Sequence, residues 1–144
     1  SLRTTVGGHR IAAPDLSQGT LLALAILTLA HLPQPPTLVC IEEPDRGIHP
    51  RLLRQVHDAM MRLSNPAASG DQRGPVQVIA TTHSPYFLDL FRDHPEDVVL
   101  SEKTNDGATF HRLSDLSHYE DIIHDAQLSD AWYSGILGGV PVSP

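Results

Sequence analysis

The amino-acid sequence predicts an α/β domain: a mainly parallel sheet flanked by helices, with a small closing hairpin. Thr37 to Ile41 is a continuous apolar run with the character of a parallel strand covered on both faces, and Val76 to Ala80 reads as a second buried strand. Each is followed by polar residues and then by a helical pattern opened by a proline, at Pro50 and Pro85. Further on, Val98 to Ser101 and Thr109 to Arg112 flank Asn105-Asp106-Gly107, a turn sequence suited to an antiparallel hairpin.

In chain order, Thr4-Thr5-Val6, the pair Gly7-Gly8 and Ile11 suggest the end of one strand, a turn and a short second strand. Leu16-Ser17-Gln18-Gly19-Thr20 then opens a segment, Leu21 to Leu32, that is apolar on every side, so a helix there expects burial on most faces. Pro33, Pro35 and Pro36 end it, because proline lacks the N–H and turns its predecessor away from helix. After the first apolar strand, Leu52, Leu53, Val56, Met60 and Leu63 repeat at helical spacing on one face of a helix from Pro50 to about Leu63. Ser64 to Pro75, with Asn65-Pro66, Ser69-Gly70 and Arg73-Gly74, is a loop. Ser84-Pro85 forms the N-cap and first residue of a short helix through Phe91. A last helix is expected over 119–128, ahead of a tail containing Trp132-Tyr133-Ser134-Gly135.

Composition narrows the class of protein. The 144 residues are 40% apolar and 19% charged, ordinary for a globular domain with its own core. Asp and Glu number 17 against 10 Lys and Arg, and the net charge of -7 argues against a surface that grips nucleic-acid phosphates. Cys40 is the only cysteine, so no intrachain disulfide can form, and its apolar neighbours suggest a small buried hydrophobe. The run from Leu21 to Ala30 falls short of the roughly 20 residues that span a bilayer. A cytoplasmic protein without a membrane segment is the expectation. The chain opens with Ser1 rather than methionine, as an excised piece of a longer protein would.

The most informative run is Leu38-Val39-Cys40-Ile41-Glu42-Glu43-Pro44-Asp45. Two carboxylates after an apolar strand suit a pair in which one holds a hydrated magnesium ion and the other polarises a water attacking phosphorus. By itself such a pair serves equally as a solvated strand end. Ser17 and Gly19, at a helix start, offer free N–H groups and the positive end of the dipole to a phosphate, although Ser17 is also a natural N-cap. His83, after the second strand, can donate a hydrogen bond in either protonation state or cap the helix that follows. His118, Asp121, His124 and Asp125 lack metal-site spacing and suit a solvated helix face, and His49 suits a structural role.

Taken together and in order, these motifs resemble the ABC ATPases. Leu16-Ser17-Gln18-Gly19-Thr20 is similar to their signature sequence, and Glu42-Glu43 to their Walker B pair. Asp45-Arg46-Gly47-Ile48-His49-Pro50 resembles their D-loop, and Thr82-His83-Ser84-Pro85 their switch-histidine loop. The wording Glu-Glu-Pro-Asp-Arg-Gly-Ile-His-Pro, followed a strand later by Thr-Thr-His-Ser-Pro, looks like the RecF/SMC/OLD-like branch of AAA-type ATPases. Transporter subunits typically read Glu-Pro-Thr-Ser-Ala-Leu-Asp instead.

The resemblance implies a fold, the C-terminal lobe of a P-loop NTPase domain of ABC/RecF-like type, and it implies roles. Glu43 is then the general base or water-orienting residue, and His83 the sensor of the γ-phosphate. Ser17, Gln18 and Gly19 contact ATP held by an opposing copy, and Asp45 acts across that interface. Glu42 positions Mg2+, where the wider family more often has aspartate. The implied partners are ATP, a second copy of the domain, the chain's own N-terminal half and, through other regions, DNA, in repair or phage defence.

A phosphate-binding loop needs a glycine-rich turn with lysine and Ser or Thr. The single lysine, Lys103, follows Ser101-Glu102, and Gly7-Gly8-His9-Arg10 has neither the spacing nor the hydroxyl residue. The chain by itself is therefore expected to hydrolyse little or no ATP. The competing expectation is a non-catalytic interaction or dimerisation module that pairs with a separate N-terminal half or a partner protein.

Overall fold

The computed structural model describes residues 1–3, 7–105, 107–117, 119, 122 and 127–138. The chain divides into two units, Ser1–Thr82 and His83–Pro144.

In the first unit, β1 (Leu2–Arg3) and β2 (Arg10–Ile11) pair antiparallel, Leu2 opposite Ile11. The turn between them uses Gly7 and Gly8 at positive φ; the strand residues expected at 4–6 lie outside the described residues. α1 (Gln18–Ala30) begins where Ser17 turns extended and its hydroxyl oxygen accepts from the Thr20 N–H at 3.1 Å. It ends at His31, whose ring bonds the Leu27 carbonyl at 2.8 Å. The expectation that this helix is buried on most faces is not met within the unit. Gly19, Ile26 and Ala30 are buried, while Leu21 is 43% exposed, because packing against α2 covers one side.

α2 (Pro50–Ser64) starts as the sequence predicts, with Pro50 in the first turn, and His49 serves as its cap, Nδ1 accepting from the Arg51 N–H at 3.2 Å. Leu53, Val56, Ala59, Met60 and Leu63 form its buried stripe. β3 (Leu38–Glu42) and β4 (Gln77–Thr81) run parallel, with Leu38 opposite Gln77 and Glu42 opposite Thr81. The expected mainly parallel sheet is thus two strands among the described residues, the other two sheets being antiparallel pairs. Coverage on both faces also fails here: Val39 is in the core, while Leu38 and Ile79 are 49% and 50% exposed. Cys40 shares that open face, so it is exposed rather than a buried hydrophobe, since alternation along the strand sets it opposite to Val39.

The second unit opens with Ser84, whose hydroxyl accepts from the Phe87 N–H at 3.3 Å and caps α3 (Pro85–Leu88). A 3-10 turn over Asp89–Phe91 continues it, and Phe87 meets Phe91 edge to face at 5.5 Å. The predicted hairpin forms from β5 (Val99–Thr104) and β6 (Gly107–Arg112). Leu88, Leu100, Leu113, Tyr119, Leu128, Ala131 and Leu137 make the core, with Leu128 and Ala131 contributed by α4 (Leu128–Tyr133). The Ser129 N–H in the first turn of α4 donates to Asp89 Oδ1 at 2.8 Å. Of the helix expected over 119–128, most positions, and His118, Asp121, His124 and Asp125 with them, lie outside the described residues.

Candidate functional site

The parallel pairing of β3 with β4 brings two polar segments to one carboxyl edge, where sheets of this kind present their ligand-binding groups. Glu42 is the last residue of β3, exposed and opposite Thr81. Glu43 leaves the strand with φ of 47°, the one described non-glycine residue at positive φ. That conformation costs a side-chain-bearing residue about 1–2 kcal/mol and persists only where its surroundings hold it.

The surroundings do hold it. The Glu43 N–H donates to the Thr81 carbonyl at 2.8 Å, and the Arg46 N–H donates back to the Glu43 carbonyl at 2.9 Å. Pro44, between the acids, is among the most completely buried residues. Asp45 Oδ1 accepts from Thr82 Oγ1 at 2.6 Å. Arg46 Nη1 stands 3.7 Å from Glu43 Oε2, and with both groups partly solvated this pair contributes little stability.

The first turn of α1 joins the same assembly through Gly19. A Cβ on Gly19 would run into the carbonyl carbon and oxygen of Gly47, itself at φ of 68°. The approach leaves no room for a side chain at Gly19, while at Gly47 it is the left-handed backbone that favours glycine. The contact sets Gly19 beside the turn that follows Asp45. Ser17 and Gln18 are exposed at that helix start, where the first N–H groups have no intrahelical acceptor. Of the predicted site residues, Ser17, Gln18, Gly19, Glu42, Glu43 and Asp45 all belong to the first unit. His83 is exposed and begins the second unit, directly ahead of the Ser84 cap.

As an exposed carboxylate at a strand end, Glu42 fits Mg2+, which takes one or two carboxylates and fills its shell with water and phosphate oxygens. Among the described residues one group of three side chains converges as metal ligands would: His94, Glu96 and Asp97 in the second unit. The Glu96 carboxyl is held below its ordinary value by its own backbone N–H, with the neighbouring His94 and Arg112 acting in the same direction. A surface cavity of about 210 Å³ lies away from the acid pair, lined by Ala30, His31, Arg62 and Arg73. Thr82 was within the motif read from the sequence, but its bond to Asp45 was not, because nothing in a linear sequence pairs positions 37 apart.

A parallel strand pair carrying acids at its carboxyl edge, beside a helix N-terminus, is an arrangement of the P-loop NTPase class. Residues 5–89, more than half of the chain, match the family described as "AAA domain, putative AbiEii toxin, Type IV TA system", and the chain belongs to that AAA-domain family. The matched span includes every predicted site residue from Ser17 to His83. No curated protein and no solved structure matches the chain. Among the described residues, no helix is long and apolar enough to cross a membrane.

Proposed function

We propose that this chain is the catalytic lobe of an ATP-hydrolysing domain of ABC/RecF-like type, completed by a phosphate-binding segment that the 144 residues do not contain. One observation carries the reading: Glu42-Glu43, the turn through Asp45 and the start of α1 at Gly19 are tied together at one strand edge. In this reading Glu43 polarises the attacking water and Glu42 holds Mg2+, which neutralises charge on the phosphates when bound. Ser17, Gln18 and Gly19 meet the γ-phosphate of ATP held by a second copy, Asp45 works across that dimer interface, and His83 senses the γ-phosphate. The full protein then couples closure of the dimer to work on DNA or on an attached effector, in repair or phage defence.

The alternative, a non-catalytic module that pairs with a separate half or partner, draws on the open sheet face of Leu38, Cys40 and Ile79. Parallel strands are almost always covered on both faces, so both readings expect more protein there.

Titration of Mg-ATP by calorimetry with a parallel assay of phosphate release separates them. The chain alone is expected neither to bind tightly nor to turn over. Adding the segment that carries the phosphate-binding loop restores turnover, and Glu43→Gln abolishes it while nucleotide binding persists. Tight binding by the chain alone, or undiminished turnover in Glu43→Gln, defeats the catalytic reading.

A further inference from the structure

The end of β4 grips the acid turn twice. The Thr81 carbonyl accepts from the Glu43 N–H at 2.8 Å, and the hydroxyl of the next residue, Thr82, donates to Asp45 Oδ1 at 2.6 Å. Between these points Glu43 holds its left-handed conformation and Pro44 is fully buried. A short hydrogen bond to a carboxylate is of the strong, charge-assisted kind, and it directs the Asp45 side chain. Its donor is also the residue peptide-bonded to His83.

We propose that Thr82 is a positioning residue: its hydroxyl fixes the Glu43–Asp45 turn, and it carries any displacement of the chain at His83 to Asp45. The inference rests on the catalytic reading for the roles of Glu43 and His83, but the bond itself is independent of that reading. Isosteric Thr82→Val removes the donor and keeps the volume, whereas Thr82→Ser keeps the donor. Thr82 therefore acts on hydrolysis through Asp45, and its loss lowers kcat rather than raising KM.

The test uses the full-length protein and two readouts. Without nucleotide, amide hydrogen exchange across 43–47 is expected to quicken about tenfold or more in Thr82→Val and to stay near wild type in Thr82→Ser, the loss of one charge-assisted hydrogen bond. With Mg-ATP, kcat is expected to fall roughly 10- to 100-fold in Thr82→Val at unchanged KM, with rescue by Thr82→Ser. Unchanged exchange in Thr82→Val overturns the proposal, as does quickened exchange with kcat intact. Absence of turnover in the wild type defeats the catalytic reading and Thr82's part in hydrolysis, while the exchange result still decides whether Thr82 holds the turn. If Thr82→Val fails to fold, Asp45→Ala removes the acceptor of the same bond and must quicken exchange across 43–47 in its place.

Discussion

Gly19 and Gly47 meet backbone to backbone, and a single Cβ on Gly19 would occupy the space of the Gly47 carbonyl. The obstacle is main chain, not the yielding end of a long side chain, so the neighbour cannot swing aside. Gly19→Ala should therefore lower stability by about 1–3 kcal/mol, the ordinary cost of overpacking a filled site. Gly74 has open space around its own Cβ position and no positive φ, so Gly74→Ala should change stability by less than about 0.5 kcal/mol. Urea unfolding of both variants checks the contrast. Equal midpoints would mean that the two glycines do not pack in solution.

Under the catalytic reading proposed above, the left-handed backbone at Glu43 sets stability against function. Asparagine tolerates that region better than glutamate, so Glu43→Asn should leave the midpoint unchanged or raise stability by up to about 1 kcal/mol. Its shorter, neutral side chain cannot polarise water, and turnover in the completed domain should fall on the order of 10²- to 10⁴-fold. A destabilised Glu43→Asn would show that the carboxylate, through Arg46, contributes more to the turn than its exposed geometry suggests.

What the sequence made legible were features written locally. Ser17 and Ser84 cap their helices, Pro50 and Pro85 open theirs, and the two apolar runs became paired strands within a residue of the expected bounds. Glu42 and Glu43 fall at the strand edge because the apolar run stops there. Burial was less legible, since the apolar face around Leu38, Cys40 and Leu21 says only that something should cover it, not what does. Contacts that join distant positions, Thr82 with Asp45 and Gly19 with Gly47, were not readable because they depend on where the turn after β3 places its backbone.

The open sheet face can be probed through Cys40, the single exposed thiol. A thiol reagent should label the native chain to full stoichiometry, at a rate close to that of the denatured chain. Adding the phosphate-binding segment should suppress labelling if that segment covers Leu38, Cys40 and Ile79. Undiminished labelling in a complex that hydrolyses ATP would place the segment elsewhere.

Arg73 binds the first unit together at the far ends of its helices. Its Nη2 donates to the Arg62 carbonyl at 2.8 Å and reaches the Ala30 carbonyl at 3.5 Å, while Nη1 reaches the Leu63 carbonyl at 3.4 Å. These are terminal carbonyls of α1 and α2, which lack intrahelical donors. Asp71, which bonds Arg62 at 2.7 Å, lies 3.7 Å from Arg73 Nε. Arg73→Ala should cost about 2 kcal/mol, and Arg73→Lys should recover little of it, because one ammonium cannot serve carbonyls that a planar fork reaches together. Thermal unfolding of the two variants decides this, and full recovery by lysine would reduce the role of Arg73 to charge alone.

In the second unit, the Tyr119 hydroxyl donates to the Arg92 carbonyl at 2.7 Å, a bond that exists only while the phenol keeps its proton. Burial raises the Tyr119 pKa above its ordinary 10.0, with Asp93 and Glu96 adding to the rise against the opposing Arg92. The folded chain thus holds this proton more tightly than the unfolded chain. Its contribution to stability is complete below the ordinary tyrosine value and is lost as pH rises through the higher folded value. Tyr119→Phe should be less stable by about 1 kcal/mol near neutral pH, for want of the hydrogen bond. Above about pH 10 the gap between the two proteins should narrow, because only the wild type has a phenol to ionise there. Urea midpoints across the alkaline range measure that gap, and a gap that stays constant or widens with pH would mean that Tyr119 does not titrate from a buried, hydrogen-bonded state.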